Sequence, residues 1–255
     1  MKNELLKIGP ITIYGYGLMI AIGIIVAYSI IIHRARNKQI AQSHITSLAI
    51  WGVLFGFIGA KLLYWITQYR NIIDNPRVLL ELSGGFVVYG GIIGGILAGY
   101  VYCKRKRINF LQCLDLFVPS IALAQGFGRL GCLLAGCCFG KETHHWFGIT
   151  FHESDFAPNG VKLIPIQIFE SVFNFALFFV LIWLARRTRP DGFIASLYLL
   201  FYSLGRFVIE FYRGDLIRGN VGILSTSQWI AIIVFVVACG SLVMKLIRSK
   251  RVSYY

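Results

Sequence analysis

The stretch Gly126-Phe127-Gly128-Arg129-Leu130-Gly131-Cys132-Leu133-Leu134-Ala135-Gly136-Cys137-Cys138-Phe139-Gly140 decides how this chain is read. It closes an apolar run that begins near residue 112, and it sets an arginine and three cysteines where that run ends. A guanidinium is costly to place in hydrocarbon, so an ionisable residue at such depth marks a functional position and calls for an anionic partner.

Outward from this segment, the chain is apolar on the scale of a bilayer. Of its 255 residues 57% are hydrophobic and 14% are charged, and the mean hydropathy is +0.69. Soluble domains carry about 25% charged residues. Seven stretches near the ~20 residues needed to span hydrocarbon are read at about 13–32, 45–66, 85–103, 112–134, 164–185, 192–212 and 226–247. The fourth is interrupted by Asp115, Pro119 and Gln125. The expected fold is an all-α integral membrane protein of seven transmembrane helices. It is treated as a single transmembrane domain over 1–255, with a short extracytoplasmic insertion at about 136–163 that carries His144, His145, His152, Glu153 and Asp155.

The net charge of +14 has a topological rather than a nucleic-acid reading. Fourteen of the 25 basic residues fall in four segments: Arg34, Arg36 and Lys38; Lys104 to Arg107; Arg186, Arg187 and Arg189; and Lys245, Arg248, Lys250 and Arg251. These segments alternate along the chain and share one side, which the positive-inside rule makes cytoplasmic. The N-terminus is then outside and the C-terminus cytoplasmic. Basic loops also attract anionic membrane lipids. No basic patch is interleaved with stacking aromatics, so no nucleic-acid partner is expected. The first apolar stretch follows Glu4 and a Gly9-Pro10 turn instead of a basic n-region, so it reads as a retained span.

The cysteines leave three readings open. Cys103, Cys113 and Cys239 stand singly and read as small apolar residues. Cys132, Cys137 and Cys138 form C-x4-C-C, followed by His144 and His145, which is not a standard zinc spacing, and no metal or cofactor is expected. A reactive thiol, activated by Arg129 or a histidine, is the second reading. Close helix packing among Gly131, Ala135, Gly136 and Gly140 is the third and favoured one.

Other polar groups sit at membrane depth. Arg206 and Glu210 are four apart and share a helix face; they form an internal ion pair, or Glu210 aims Arg206 at a ligand. Gln167, Glu170 and Asn174 make a polar stripe at i, i+3 and i+7. Tyr14 and Tyr16 stand where interfacial aromatics anchor a span. His33 and His44 read as interfacial residues. Lys61 either snorkels to the interface or, at its depth, takes an internal partner. Gly84, Gly85, Gly90 and Gly91 read as a broken helix start or re-entrant turn, and Gly94, Gly95 and Gly99 as close-packing positions. Two arginines converging on one site suit a phosphate. A lateral opening to the outer leaflet then suits an enzyme that consumes a phospholipid.

At these residues the chain resembles the prolipoprotein diacylglyceryl transferases of the bacterial cytoplasmic membrane. Tyr16-Gly17-Leu18-Met19 resembles the family's early Tyr-Gly-Leu-Met. Residues 84–91 resemble its Gly-Gly-x-x-x-His-Gly-Gly element. Gly128-Arg129-Leu130-Gly131 through Gly140 resembles its Gly-Arg-x-Gly-Asn-x-x-Asn-x-Glu-x-x-Gly signature. Residues 164–170 resemble its His-Pro-[Thr/Ser]-Gln-Leu-Tyr-Glu, and Arg206, Glu210, Phe211 and Arg213 its Arg-x-x-x-Glu-Phe-x-Arg. The resemblance implies transfer of the diacylglyceryl group of phosphatidylglycerol to the lipobox cysteine of a preprotein, with formation of a thioether and release of glycerol phosphate. It implies catalytic roles for Arg129, Arg206, Glu210, Tyr16 and Tyr89. The substrates would be bound by Arg129, Arg206, Gly140, Cys132, Cys137, Gln167 and Glu170. The departures are Cys132 and Cys137, where the family carries Asn and Glu, and Tyr89 and Ile164, where it carries His. Two alternatives stay open: an enzyme with the same phospholipid site but another acceptor or a cysteine nucleophile, and a non-enzymatic lipid-binding or transport protein.

Overall fold

The computed structural model describes residues 4–8, 11–38, 40–79, 85–214 and 220–252. Lys2, the Gly9-Pro10 turn, Gly84 and Arg218 lie outside the described residues. The described chain is mostly helical. A hairpin of β1 (Glu4–Ile8) and β2 (Ile11–Tyr14) leads into α1 (Gly15–Asn37). Then come α2 (Gln42–Thr67), the short α3 (Tyr69–Asp74), a 3-10 turn (Pro76–Leu79) and α4 (Val88–Lys106). These are followed by α5 (Phe110–Ala135), α6 (Ile166–Leu184), α7 (Phe193–Glu210) and α8 (Thr226–Val252). Among the described residues six helices are long and apolar enough to cross a membrane: α1, α2, α5, α6, α7 and α8. The stretch read as a span over 85–103 is a 19-residue helix, α4, that starts only at Val88 and ends on Lys104, Arg105 and Lys106. Both α1 and α4 carry their basic residues in the last turn, where the helix dipole favours cations.

The chain forms two compact units, Met1–Ile31 with Leu114–Tyr255, and Ile32–Cys113. In the second unit α2 and α4 pack backbone to backbone. A β-carbon added at Gly59 would collide with the Gly90 carbonyl oxygen, and one at Gly94 with that of Phe55. Gly91 and Gly95 repeat the approach, at 3.1 Å from the Gly56 oxygen and 3.2 Å from the Gly52 oxygen. Small residues let helices meet this closely, and dispersion between the touching backbones holds them. Gly90 and Gly91 therefore belong to the packed helix rather than to a re-entrant turn. Among the described residues, 85–87 precede the helix without regular structure, with Gly85 at φ +69°. Lys61, 7% exposed, has the internal partner its depth requires. Its Nζ lies 5.2 Å from the ring centres of Tyr64 and Phe86, with Trp65 at 6.0 Å.

In the first unit the core is built by α5, α6 and α7, with Ala122 and Leu181 fully buried. The three residues that interrupt α5 leave it continuous. Asp115 caps a different helix: its carboxylate accepts from Gly192 N at 2.7 Å and Ala195 N at 2.8 Å, at the start of α7. Gln125 accepts the Tyr198 hydroxyl at 2.9 Å. Asn109 caps α5 itself, accepting from Leu111 N at 3.0 Å. α1 approaches α5 at Gly15, Gly23 and Gly131, where a β-carbon would press on Leu134, Phe127 and Tyr16 respectively.

The segment expected as an insertion at 136–163 is ordered. β3 (Ile149–Thr150) pairs antiparallel with β4 (Lys162–Leu163), over a small core of Phe151, Ala157 and Leu163. Its histidines His144, His145 and His152 are exposed.

The glycine seam is testable. Gly59→Ala is expected to lower stability by about 1–3 kcal/mol through overpacking against backbone. Gly52→Ala, whose β-carbon meets open space, should change it by less than about 0.5 kcal/mol. Thermal unfolding in detergent distinguishes them, and equal midpoints would contradict the backbone contact of α2 with α4.

Candidate functional site

The polar groups of α5, α6 and α7 meet in one ion network in the first unit. Glu170, one turn into α6, divides its carboxylate between two arginines. Oε2 lies 2.8 Å from Arg129 Nη1 of α5, and Oε1 lies 3.2 Å from Arg206 Nη1 of α7. The other terminal nitrogen of Arg206, Nη2, pairs with Glu210 Oε2 at 2.5 Å, the i, i+4 partner expected from spacing. Arg213 extends the chain, its Nε 3.9 Å from Glu210 Oε2. Ser225 donates to Glu210 Oε1 at 3.0 Å. The network is buried: the side chains of Glu170, Glu210 and Arg213 are 5%, 8% and 4% exposed, while Arg129 is the most open at 22%.

Among the described residues, the guanidiniums of Arg129, Arg206 and Arg213 meet the carboxylates of Glu170 and Glu210. Guanidiniums held in fixed planes suit an oxyanion. Arg129 is the most accessible of the five.

The polar stripe of α6 holds the surrounding backbone. Gln167, fully buried, donates from Nε2 to the Cys137 carbonyl at 2.8 Å. Ser171 donates to the Gly126 carbonyl at 3.0 Å, and Asn174 to the Glu170 carbonyl at 2.7 Å. Among the described residues, Gln167 Oε1 and Asn174 Oδ1 are buried acceptors with no hydrogen-bond donor.

The loop after α5 is stitched to the end of α7. Gly140 N donates to Ile164 O at 3.1 Å, Lys141 N to Tyr212 O at 2.9 Å, and Gly214 N to Phe139 O at 3.0 Å. A β-carbon at Gly140 would sit 2.5 Å from the Ile164 oxygen. Gly140 thus acts through close backbone packing, which holds Arg213 beside the Arg129 segment. Tyr16 packs against Gly131, whose β-carbon would lie 3.1 Å from the tyrosine ring; it is 42% exposed.

Cys132, Cys137 and Cys138 converge, with all three Sγ atoms within 4.8 Å of one another. Hydrogen bonding with Cys132 and Cys137, reinforced by the Arg213 and Arg129 guanidiniums, draws the Cys138 thiol below its ordinary range. The cations acting on this thiol are therefore arginines. Tyr89 stands in the first turn of α4, in the second unit, with its side chain exposed.

The structure thus joins Arg129, Glu170, Arg206 and Glu210 directly, and it brings Gln167, Gly140, Cys132, Cys137 and Tyr16 onto the same segments. Two things were missing from the sequence reading. Glu170 is the hub, and Arg213 with Ser225 completes the network. Arg213 was signalled by the late Arg-x-x-x-Glu-Phe-x-Arg resemblance. Ser225 had no signal, since its contact to Glu210 bridges 15 residues.

These observations define a multi-pass membrane protein whose helices enclose an arginine-rich ion network. The profile of the family described as "Prolipoprotein diacylglyceryl transferase" matches residues 3–244, and the chain belongs to that family. It is 47% identical over 251 residues to the phosphatidylglycerol–prolipoprotein diacylglyceryl transferase of Clostridium tetani, covering 98% of this chain and 100% of that one. It is 44% identical to a second such transferase, of Clostridium perfringens, over 92% of each chain. The protein of the same name from Clostridioides difficile is 34% identical, over 88% of this chain and 87% of its own.

The network predicts an asymmetry of stability. Glu170→Ala leaves two buried arginines short of a partner and should cost about 3–5 kcal/mol. Ser225→Ala removes one hydroxyl donor and should cost about 1 kcal/mol. Thermal unfolding of both variants in detergent checks this; comparable small losses would mean that Glu170 is not the hub.

Proposed function

We propose that the chain transfers the diacylglyceryl group of phosphatidylglycerol to the lipobox cysteine of bacterial preproteins. The observation that carries this reading is the Arg129–Glu170–Arg206–Glu210 network, which holds two guanidiniums in fixed planes at membrane depth. In the reaction the acceptor thiolate attacks the glyceryl carbon that bears the phosphate. A C–S bond forms, the C–O bond breaks, and the electron pair leaves with glycerol phosphate. Charge therefore grows on the phosphate as the bond breaks, and fixed guanidiniums that face it stabilise the transition state without reorganising. Arg129 binds the phosphate from the accessible end. Glu170 fixes both guanidinium planes, and Glu210 orients Arg206. Gln167 and Gly140 position the loop that carries Cys137. Tyr16 is assigned to positioning the lipid head group or the thiol, and Tyr89 to donating a hydrogen bond.

The membrane arrangement proposed with it takes α4 as the seventh span. The N-terminus and the 136–163 insertion are then extracytoplasmic and the C-terminus cytoplasmic, in the bacterial cytoplasmic membrane. The basic last turns of α1 and α4 support this side assignment. The whole chain is taken as one transmembrane domain, and neither nucleic acid nor a further protein partner enters the reaction.

The test is to incubate purified protein with phosphatidylglycerol and a lipobox peptide. Glycerol phosphate release should match the peptide's mass gain. Arg129→Ala should abolish both, and Arg129→Lys should not restore them, because a point charge lacks the planar fork that meets phosphate oxygens in pairs. Release without peptide modification would redirect the reading to another acceptor, and no release from intact protein would overturn it.

A further inference from the structure

The thiol cluster is more organised than packing requires. Cys132 lies in the last turns of α5, and the chain turns back at Gly136 (φ +74°) to bring Cys137 and Cys138 over it. Cys138 itself holds a left-handed backbone, φ 57°, a conformation that non-glycine residues rarely adopt. Cys137 N donates to Cys132 O at 3.1 Å, and the Cys137 carbonyl is fixed by the fully buried Gln167. None of the three is in a disulfide. Small apolar residues would pack here without a strained turn that aims three sulfurs at one point.

The sulfurs all lie within 4.8 Å of one another. At the usual zinc–sulfur distance of about 2.3 Å, thiolates that share an ion stand about 3.8–4.0 Å apart. The cluster therefore closes on a metal with shifts of less than about 1 Å. Thiolate donors select soft or borderline ions. Three protein ligands with an open fourth position is the pattern of catalytic, not structural, zinc sites. A divalent ion with three thiolates carries one net negative charge.

We propose that Cys132, Cys137 and Cys138 form a thiolate site for a zinc-like divalent ion, whose fourth position takes the thiol of the acceptor peptide. This rests on the transferase reading. Binding to the ion deprotonates the thiol, and its proton passes to solvent. The bound thiolate attacks the glyceryl carbon, the C–S bond forms, and the C–O bond to phosphate breaks. Glycerol phosphate leaves with the electron pair, and the thioether, a poorer ligand, departs the ion. No electron transfer is involved. The site supplies the activation that turns the acceptor thiol into a thiolate, the nucleophilic form.

The test uses the full chain in detergent or nanodiscs. Purified protein should hold about one zinc per chain, as a three-cysteine site predicts, and Cys132→Ser, Cys137→Ser and Cys138→Ser should each lose it. Chelation of the unmutated protein should slow peptide modification by roughly 100-fold or more, the usual contribution of a positioned base. Zn2+, but not Mg2+, should restore it. Co2+-loaded protein should show thiolate-to-metal absorption that shifts with a lipobox peptide and not with its Cys→Ser analogue. Full turnover by metal-free unmutated protein would overturn this proposal and leave the transferase reading standing. A peptide-sensitive cobalt spectrum with no glycerol phosphate release would overturn the transferase reading, and with it the role of the bound thiol, while leaving a three-cysteine metal site.

Discussion

A carboxylate enclosed by apolar helices has to be neutralised where it stands, and Glu170 achieves this by giving one oxygen to Arg129 and the other to Arg206. That division ties α5, α6 and α7 through a single side chain. It also fixes the planes of two guanidiniums that would otherwise swing on long, flexible stems. Glu210 repeats the device on the far side of Arg206, with Arg213 and Ser225 as its further partners. The two carboxylates thus hold the guanidiniums in fixed positions between the helices.

The rest of the first unit holds this network in register. Asp115 caps α7 from within α5, so the helix that carries Arg206 and Glu210 is pinned to the helix that carries Arg129. Gly131 and Gly140 let Tyr16 and the 164–165 backbone come close on either side of the arginine segment. Gln167 secures the cysteine turn. Polar groups that would be liabilities in a simple bundle thus each hold one part of the site.

What could be read in the sequence followed from length and period. Helix existence, the apolar spans and the Arg206–Glu210 pair come from rules that act within one helix. The polar stripe of α6 was visible, but its use was not: whether Glu170 meets solvent, a ligand or two arginines depends on which helices flank it. The same limit applies to Asp115, which looked like an interruption of a span and is a cap for a helix 77 residues away. The cysteines show the limit most clearly. C-x4-C-C matches no familiar metal spacing, because the convergence comes from left-handed backbone at Gly136 and Cys138. Gly90 and Gly91 read in the sequence as part of a broken helix start or a re-entrant turn. Their role in α4 emerges only beside the glycines of α2.

The account stands on the claim that the arginines held by Glu170 bind the lipid's phosphate. The direct measurement is lipid affinity in nanodiscs, with phosphatidylglycerol compared against diacylglycerol of the same chains for the unmutated protein and Arg129→Ala. The account predicts that the variant loses at least about tenfold in affinity for phosphatidylglycerol, the ~1.4 kcal/mol or more of a charge-assisted contact, with no change for diacylglycerol. Equal affinity of the two proteins for phosphatidylglycerol would contradict it.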